Sequence, residues 1–395
     1  MLSKTVYSIY DTSPKTEQIV ALLAQNNTPK LHLSGLVGSS ISFVIRSIFK
    51  KSELPFLLIL NDKEEAAYYL NDLEQMIGDQ DVLFYPASFR RPYQIEETDN
   101  ANVLLRAEVL NRINSRKKPA IIVSYPEALF EKVVTRKELD KNTLKVAVGD
   151  QISIDFINEV LFEYEFKRVD FINEPGEFSV RGGIVDVFSF SNDNPYRIEF
   201  FGNEVDSIRT FDVATQLSLE QQKKIAIIPN VENKFFQENR ESFLDYISEK
   251  TVLFIQNTEG FLSQLDKQFA KAEEAFDKLS KDIKHATPEQ LFLNQEQFIK
   301  RALDFSVAEL ASKAIFKTTK KFEFHIQPQP SFNKQFDLLL NNLNDNHFNG
   351  YKNYLFCSND NQAKRFHDIF ETLDEANSEN IRKQYNTVVL PLYQG

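Results

Sequence analysis

From residue 30 to residue 124 short apolar runs alternate with amphipathic ones, and that order leaves room for few folds. Lys30–Ser34 reads as a buried strand and the run through Phe49 as an amphipathic helix. Phe56–Leu60 is a continuous apolar strand, and Asp62–Ile77 a helix with Ala66, Tyr69, Leu70, Leu73 and Ile77 on one stripe. Val82–Tyr85, a helix to Ile113 and Ala120–Ser124 extend the series. Such repeats demand a parallel sheet with helices on its faces, because each crossover helix returns the chain to the same edge. An earlier helix, Thr16–Asn26, follows the turn residues Ser13-Pro14.

The first strand runs into Gly35-Leu36-Val37-Gly38-Ser39-Ser40-Ile41-Ser42, in the position where phosphate-binding chains carry G-x-x-x-x-G-K-[ST]. Gly35 and Ser42 keep that register. Ser40 stands at the second glycine and Ile41 at the lysine, and the nearest cation, Arg46, lies more than a helical turn further on. Without an ammonium for the β- and γ-phosphates, the expectation is a nucleotide-binding shape that has lost its nucleotide, with Ile41 packed into the vacated pocket. After Pro86-Ala87, the stretch SFRRPYQIEETDN offers only Phe89 and Tyr93, with Arg90 and Arg91 beside them. That is too little aromatic surface to stack on bases, so it reads as a loop over the sheet's carboxyl edge.

Between Pro175 and Gln216 the period falls to two. The runs Glu177–Phe188 and Tyr196–Phe201 flank the turn residues Ser191-Asn192-Asp193-Asn194-Pro195, the pattern of a β-hairpin. Gly176, Gly182, Gly183 and Gly202 mark turns, with a bulge expected inside the first strand. Alternation puts Phe178 and Val180 on one face and Glu177, Ser179 and Arg181 on the other; Tyr196, Ile198 and Phe200 oppose Arg197, Glu199 and Phe201. One face must pack on something, and the other is richer in charge than solubility requires. Lys167 and Arg168, on the strand entering the hairpin, extend it into a basic cluster suited to an acidic partner.

The run GEFSVRGGIVDVF, continued by YRIEFFG and FDVATQ, resembles the second domain of the UvrB family and its counterpart near the N-terminus of the bacterial transcription-repair coupling factors. The FDVATQ ending and the degenerate loop favour the coupling factors, since UvrB keeps an intact loop and hydrolyses ATP. In both families the domain docks the repair protein UvrA. By resemblance the matching positions are Arg168, Arg181, Arg197 and Glu199, with Lys167 and Phe201 beside them, while Ser179 stands where a further arginine belongs. Replacing Arg181 or Arg197 by Ala is expected to weaken UvrA capture and leave the fold intact.

Net charge is −11, so attraction to nucleic acid would need a local patch, of which Arg90, Arg91, Lys117 and Lys118 are the candidates. A single cysteine, Cys357, excludes an internal disulfide and fits a reducing, cytoplasmic setting. Five scattered histidines (His32, His285, His325, His347, His367) show no metal spacing. No apolar run is long enough to cross a membrane.

The expected architecture is an α/β multidomain chain. Residues 1–126 form a degenerate RecA/helicase-like parallel-sheet domain, 127–212 an inserted small α+β domain, and 213–326 the return to the first domain. Beyond Gln327-Pro328-Gln329-Pro330, residues 327–395 hold a third α/β domain: helix Phe332–Leu343, strand Asn353–Cys357, helix Asn361–Leu373 and strand Asn386–Pro391. Asp374-Glu375-Ala376-Asn377 imitates a helicase box but follows a helix, where no magnesium ligand of that motif sits. The chain is expected to be a piece of a much longer protein. The resemblance implies a non-catalytic, UvrA-recruiting stretch without a cofactor. ATP and Mg, and contacts to RNA polymerase and duplex DNA, would belong to domains elsewhere in that protein. The rival expectation is a UvrB-type damage-verifying ATPase.

Overall fold

The structure, a computed structural model, describes residues 2–25, 27–88, 93, 100–115, 118–192, 194–230, 240–279, 285–373 and 385–393. Seven parallel strands make the first sheet, in the order Lys320–Glu323, Lys30–Ser34, Ser306–Leu310, Val252–Gln256, Phe56–Ile59, Ile121–Ser124, Val82–Phe84. The central strands are buried on both faces: Phe56, Leu57, Leu58 and Ile59 are wholly inaccessible, which is why they read as unbroken apolar runs. Helix Ser40–Ser52 follows the first strand and buries Ile41, Val44, Ile45 and Ile48 on the sheet. Helix Lys63–Ile77 starts where the Asp62 side chain accepts from Glu65 N, and it buries Ala66, Tyr69 and Leu73.

The chain leaves this sheet after Ile121–Ser124 and re-enters it at Val252–Gln256. The segment between builds a second, mixed sheet of six strands. Their order is Ser218–Gln222, Glu204–Phe211, Tyr196–Phe201, Ile184–Val187, Glu177–Arg181, Lys167–Arg168. The last of these is a two-residue edge strand running parallel to its neighbour. Helix Ile154–Glu163 turns Ile157 and Leu161 into the same apolar core as Phe178, Val185, Val187 and Ile198. Two short antiparallel ladders form the neck of the insertion: Leu144–Ala147 with Lys224–Ile227, and Val133–Val134 with Arg240–Glu241.

Past residue 330, helices Phe336–Phe348 and Asp360–Leu373 pack on a parallel pair of strands, Asn353–Cys357 and Tyr385–Val389. Val388 and Leu390 join Val6, Phe43 and Met76 in one apolar cluster, which ties this unit to the first. Val6 lies on helix Leu2–Asp11, which the sequence pattern did not announce.

Candidate functional site

The expected bulge at Gly182-Gly183 is instead a tight turn between two separate strands. Arg181 pairs with Ile184, and Gly182 takes the left-handed φ of +59° that a two-residue hairpin needs and that glycine supplies without steric cost. An irregularity does occur in this sheet, one strand further on, where the register shifts between Glu199 and Phe200. The turn sets everything on the polar face. Ser179 lies opposite Asp186, Asp186 opposite Arg197, and Arg197 opposite Arg209. Phe178, Val180, Val185, Ile198 and Ile208 fall on the other face and pack inward.

Asp186 is the centre of the polar face, with its side chain only 2% exposed. Arg197 grips it with a two-pronged bond, Nε to Oδ1 at 2.7 Å and Nη2 to Oδ2 at 2.8 Å. The Arg197 guanidinium also lies 4.4 Å over the Phe211 ring and is itself 15% exposed. The Asp186 bonds hold this guanidinium more firmly protonated than usual. Arg181 donates to the same carboxylate but keeps 42% of its side chain in solvent, with the Phe171 ring beneath it. Glu199 accepts from Arg209 and from Ser207 Oγ, the latter at 2.7 Å. Arg197 and Arg209, like charges facing across two strands, are thus each supplied with a carboxylate, which removes the repulsion such a pair would cause.

The six residues singled out for partner binding therefore lie in one small sheet but in different states. Arg197 and Glu199 are engaged within the sheet, and Arg181 is engaged and still accessible. Lys167 and Arg168 are exposed on the edge strand and make no ion pair among the described residues. Phe201 is 84% exposed at the Gly202-Asn203 turn, where it pairs with Glu204. The pattern gave no notice of Asp186, Arg209 or Phe171. The last is 61% exposed just past Lys167–Arg168, the part that forms a strand of the longer stretch Glu165–Ile172 that the sequence presents as one.

The glycine loop is closed on itself. Ile41 is 3% exposed and belongs to the main core. Ser40 Oγ donates to Val37 O at 2.5 Å and accepts from Val37 N at 3.1 Å. Tyr69 donates its hydroxyl to Gly38 O at 3.2 Å. Ser42 Oγ donates to Asp72 Oδ2 at 3.2 Å, and Tyr393 N donates to Asp72 Oδ1 at 2.9 Å. Burial pushes the Asp72 carboxyl above its usual range, opposed by the bonds from Ser39, Tyr393 and Ser42. The Tyr393 ring stacks on Tyr68, 3.5 Å between centroids. Arg46, the nearest cation in sequence, is taken by Asp11 at 2.7 Å and lies 4.0 Å from the centre of the Tyr7 ring. Gly35 has φ +76°, and a Cβ there would sit 1.8 Å from Phe324 O, so the strand-to-loop corner requires glycine.

Phe89, Arg90, Arg91, Lys117 and the Asp374–Asn377 box lie outside the described residues. Tyr93 is half-buried, bonded to Ala286 O at 2.8 Å and packed on Phe276 and Phe292, so its ring is already occupied. Among the described residues no group of His, Cys, Asp or Glu is arranged to hold a metal ion, and no helix is long and apolar enough to cross a membrane.

Residues 144–233 match the family model of the UvrB interaction domain, a range that spans the six-stranded sheet and the Leu144–Ala147 and Lys224–Ile227 ladder of its neck. The chain is 32% identical over 198 residues to the transcription-repair-coupling factor of Bacillus subtilis, a match covering 50% of this chain and 17% of that protein. It is 27% identical over 197 residues to the factor of Escherichia coli, with the same two shares. For the factor of Staphylococcus haemolyticus the identity is 31% over 196 residues, or 49% of this chain and 16% of the relative. Each match thus accounts for less than a fifth of the relative's length. The second sheet thus matches the UvrB interaction domain, in a chain that resembles the transcription-repair-coupling factors over about half of its own length.

Proposed function

We propose that this chain is the UvrA-recruiting adaptor region of a cytoplasmic protein that couples stalled transcription to nucleotide excision repair, and that it is not itself a catalyst. The observation that carries this reading is the outward face of the second sheet. Arg181 and Lys167 stand in solvent there, Arg168 is exposed on the edge strand, and Phe201 is almost fully exposed at the Gly202-Asn203 turn of the same sheet. Exposed arginines with an aromatic anchor are the usual content of an interface hot spot. The closed glycine loop supports the non-catalytic part: its hydroxyls are committed internally, and a core isoleucine fills the lysine position. RNA polymerase, duplex DNA, ATP and Mg would engage parts of the longer protein outside this stretch.

The test is a binding titration of this chain with purified UvrA. Arg181→Ala and Phe201→Ala should each weaken the complex by about 1–3 kcal/mol with melting behaviour unchanged. Absence of any complex would overturn the adaptor role. ATP turnover by the purified chain would revive the UvrB-type ATPase.

A further inference from the structure

Past strand Tyr385–Val389 the chain leaves the third unit for the first. The ladder with Asn353–Cys357 closes where Leu390 N donates to Cys357 O at 2.9 Å. Pro391 has no N–H with which to extend it. Leu390 is buried with Val6, Phe43 and Met76, and Leu392 packs against the same cluster. Residues 391–393 thereby cross to helix Lys63–Ile77 as a short strap.

That helix holds two separate parts of the chain. It fixes the glycine loop through Tyr69, which donates to Gly38 O at 3.2 Å, and through Asp72 Oδ2, which accepts from Ser42 Oγ at 3.2 Å. It fixes the strap through Asp72 Oδ1, which accepts from Tyr393 N at 2.9 Å, and through Tyr68, on which the Tyr393 ring stacks. Tyr68 and Asp72 are one helical turn apart, so ring and carboxyl present themselves together. The Asp72 carboxyl thus takes one bond from the loop and one from the strap. It is only 1% exposed, so water cannot readily replace either donor.

The strap is held more lightly than the strand before it. Val388 and Leu390 are buried, whereas Tyr393 is 53% exposed and covered by Tyr68 on one ring face. A segment of this kind opens locally while its neighbours stay packed.

We infer that residues 391–393 are a latch that couples the docking of the third unit to the closed state of the glycine loop, with Asp72 as the shared catch. A loop of the intact pattern would answer to a phosphate; this one answers to a backbone N–H of its own polypeptide. Coupling of this sort is reciprocal, so whatever loosens the loop also loosens the strap.

The experiment uses the whole chain. It contains no tryptophan, so Tyr393→Trp puts a single fluorophore on the strap and keeps a ring over Tyr68. Acrylamide quenching of that indole reads the strap, and hydrogen exchange of residues 36–46 reads the loop. In this background Tyr68→Ala should raise quenching about twofold or more and speed exchange of the loop amides about two- to tenfold, the worth of one stacked pair. Ser42→Ala, made in the loop, should raise quenching about twofold in return. The amides of Asn353–Cys357 and of helix Lys63–Ile77 should keep their rates in both variants. If Ser42→Ala leaves quenching unchanged, or Tyr68→Ala leaves the loop amides unchanged, strap and loop are independent and the latch is overturned. If the strand or helix amides accelerate together with the loop, the third unit is coming away whole or the helix is loosening, and the latch is overturned likewise.

Discussion

Asp186→Ala is the sharpest probe of how the polar face is held together. The carboxylate is 2% exposed and takes two bonds from Arg197 and one from Arg181. Removing it leaves Arg197 over the Phe211 ring, 15% exposed, with long bonds to Gln216 and the charge of Glu199 in place of a bonded carboxylate. Breaking a fully buried pair from one side costs about 3–5 kcal/mol. Arg197 keeps some contact with water and Arg181 can swing into it, so about 2–4 kcal/mol is the discounted figure here. A chain with several units has no single unfolding transition to measure, so the assay is hydrogen exchange read peptide by peptide. The amides of 178–187 and 196–211 should exchange about 30- to 1000-fold faster, which is that free energy at a factor of ten per 1.4 kcal/mol. The strands of the seven-stranded sheet should keep their protection. Asp186→Leu combined with Arg197→Met should recover most of the loss, since an apolar replacement of both partners is often close to neutral. An acceleration below about threefold in Asp186→Ala would refute the view that this carboxylate organises the face. The same logic revises an expectation drawn from the pattern: Arg197→Ala should disturb the sheet as well as the partner, whereas Arg181→Ala should not.

Ile41→Lys restores the missing lysine at a position 3% exposed within the main core. It should destabilise the first unit by roughly 2–4 kcal/mol without creating ATP turnover; hydrolysis in that variant would show the loop is nearer to competence than its internal bonds imply. Asp72→Asn removes a carboxyl whose burial raises its pKa in the folded chain. A group raised on folding contributes stability that is complete below its unfolded value of about 4 and is lost as pH climbs through the folded value. At matched pH, the amides of helices Ser40–Ser52 and Lys63–Ile77 in the asparagine variant should therefore exchange more slowly than in wild type near pH 7 and at the wild-type rate near pH 4. Faster exchange at pH 7 would mean that the bonds from Ser42 and Tyr393 need the ionised form.

Much of this was legible because local period and burial agree. The apolar run Phe56–Ile59 could only be a central strand, and Ile41 at a lysine position could only be a packed residue once the helix after the loop buried that face. The two sides of the ribbon were also sorted correctly, since alternation survives whatever joins the strands. Cross-strand partners were a different matter. Asp186 meets Arg197 only if Gly182-Gly183 is a turn, so treating that pair as a bulge hid the carboxylate on which the face depends. Ser42 with Asp72, 30 residues apart, and Asp72 with Tyr393, far further on, were invisible for a related reason. Side-chain contacts between elements follow tertiary placement, which no periodicity encodes. Phe171 falls in Glu165–Ile172, which reads as one strand entering the hairpin, whereas only Lys167–Arg168 of it pairs.

The neck of the insertion has a mechanical consequence. Leu144–Ala147 carries the chain outward and Lys224–Ile227 brings it back alongside, so both rails run between the same two bodies. A tug on the ribbon is then shared by two covalent backbones stretched in parallel. The rungs between those rails are not the bonds that tension would peel apart. A small domain suspended in this way can be pulled hard by whatever grips it and still stay in register with its support.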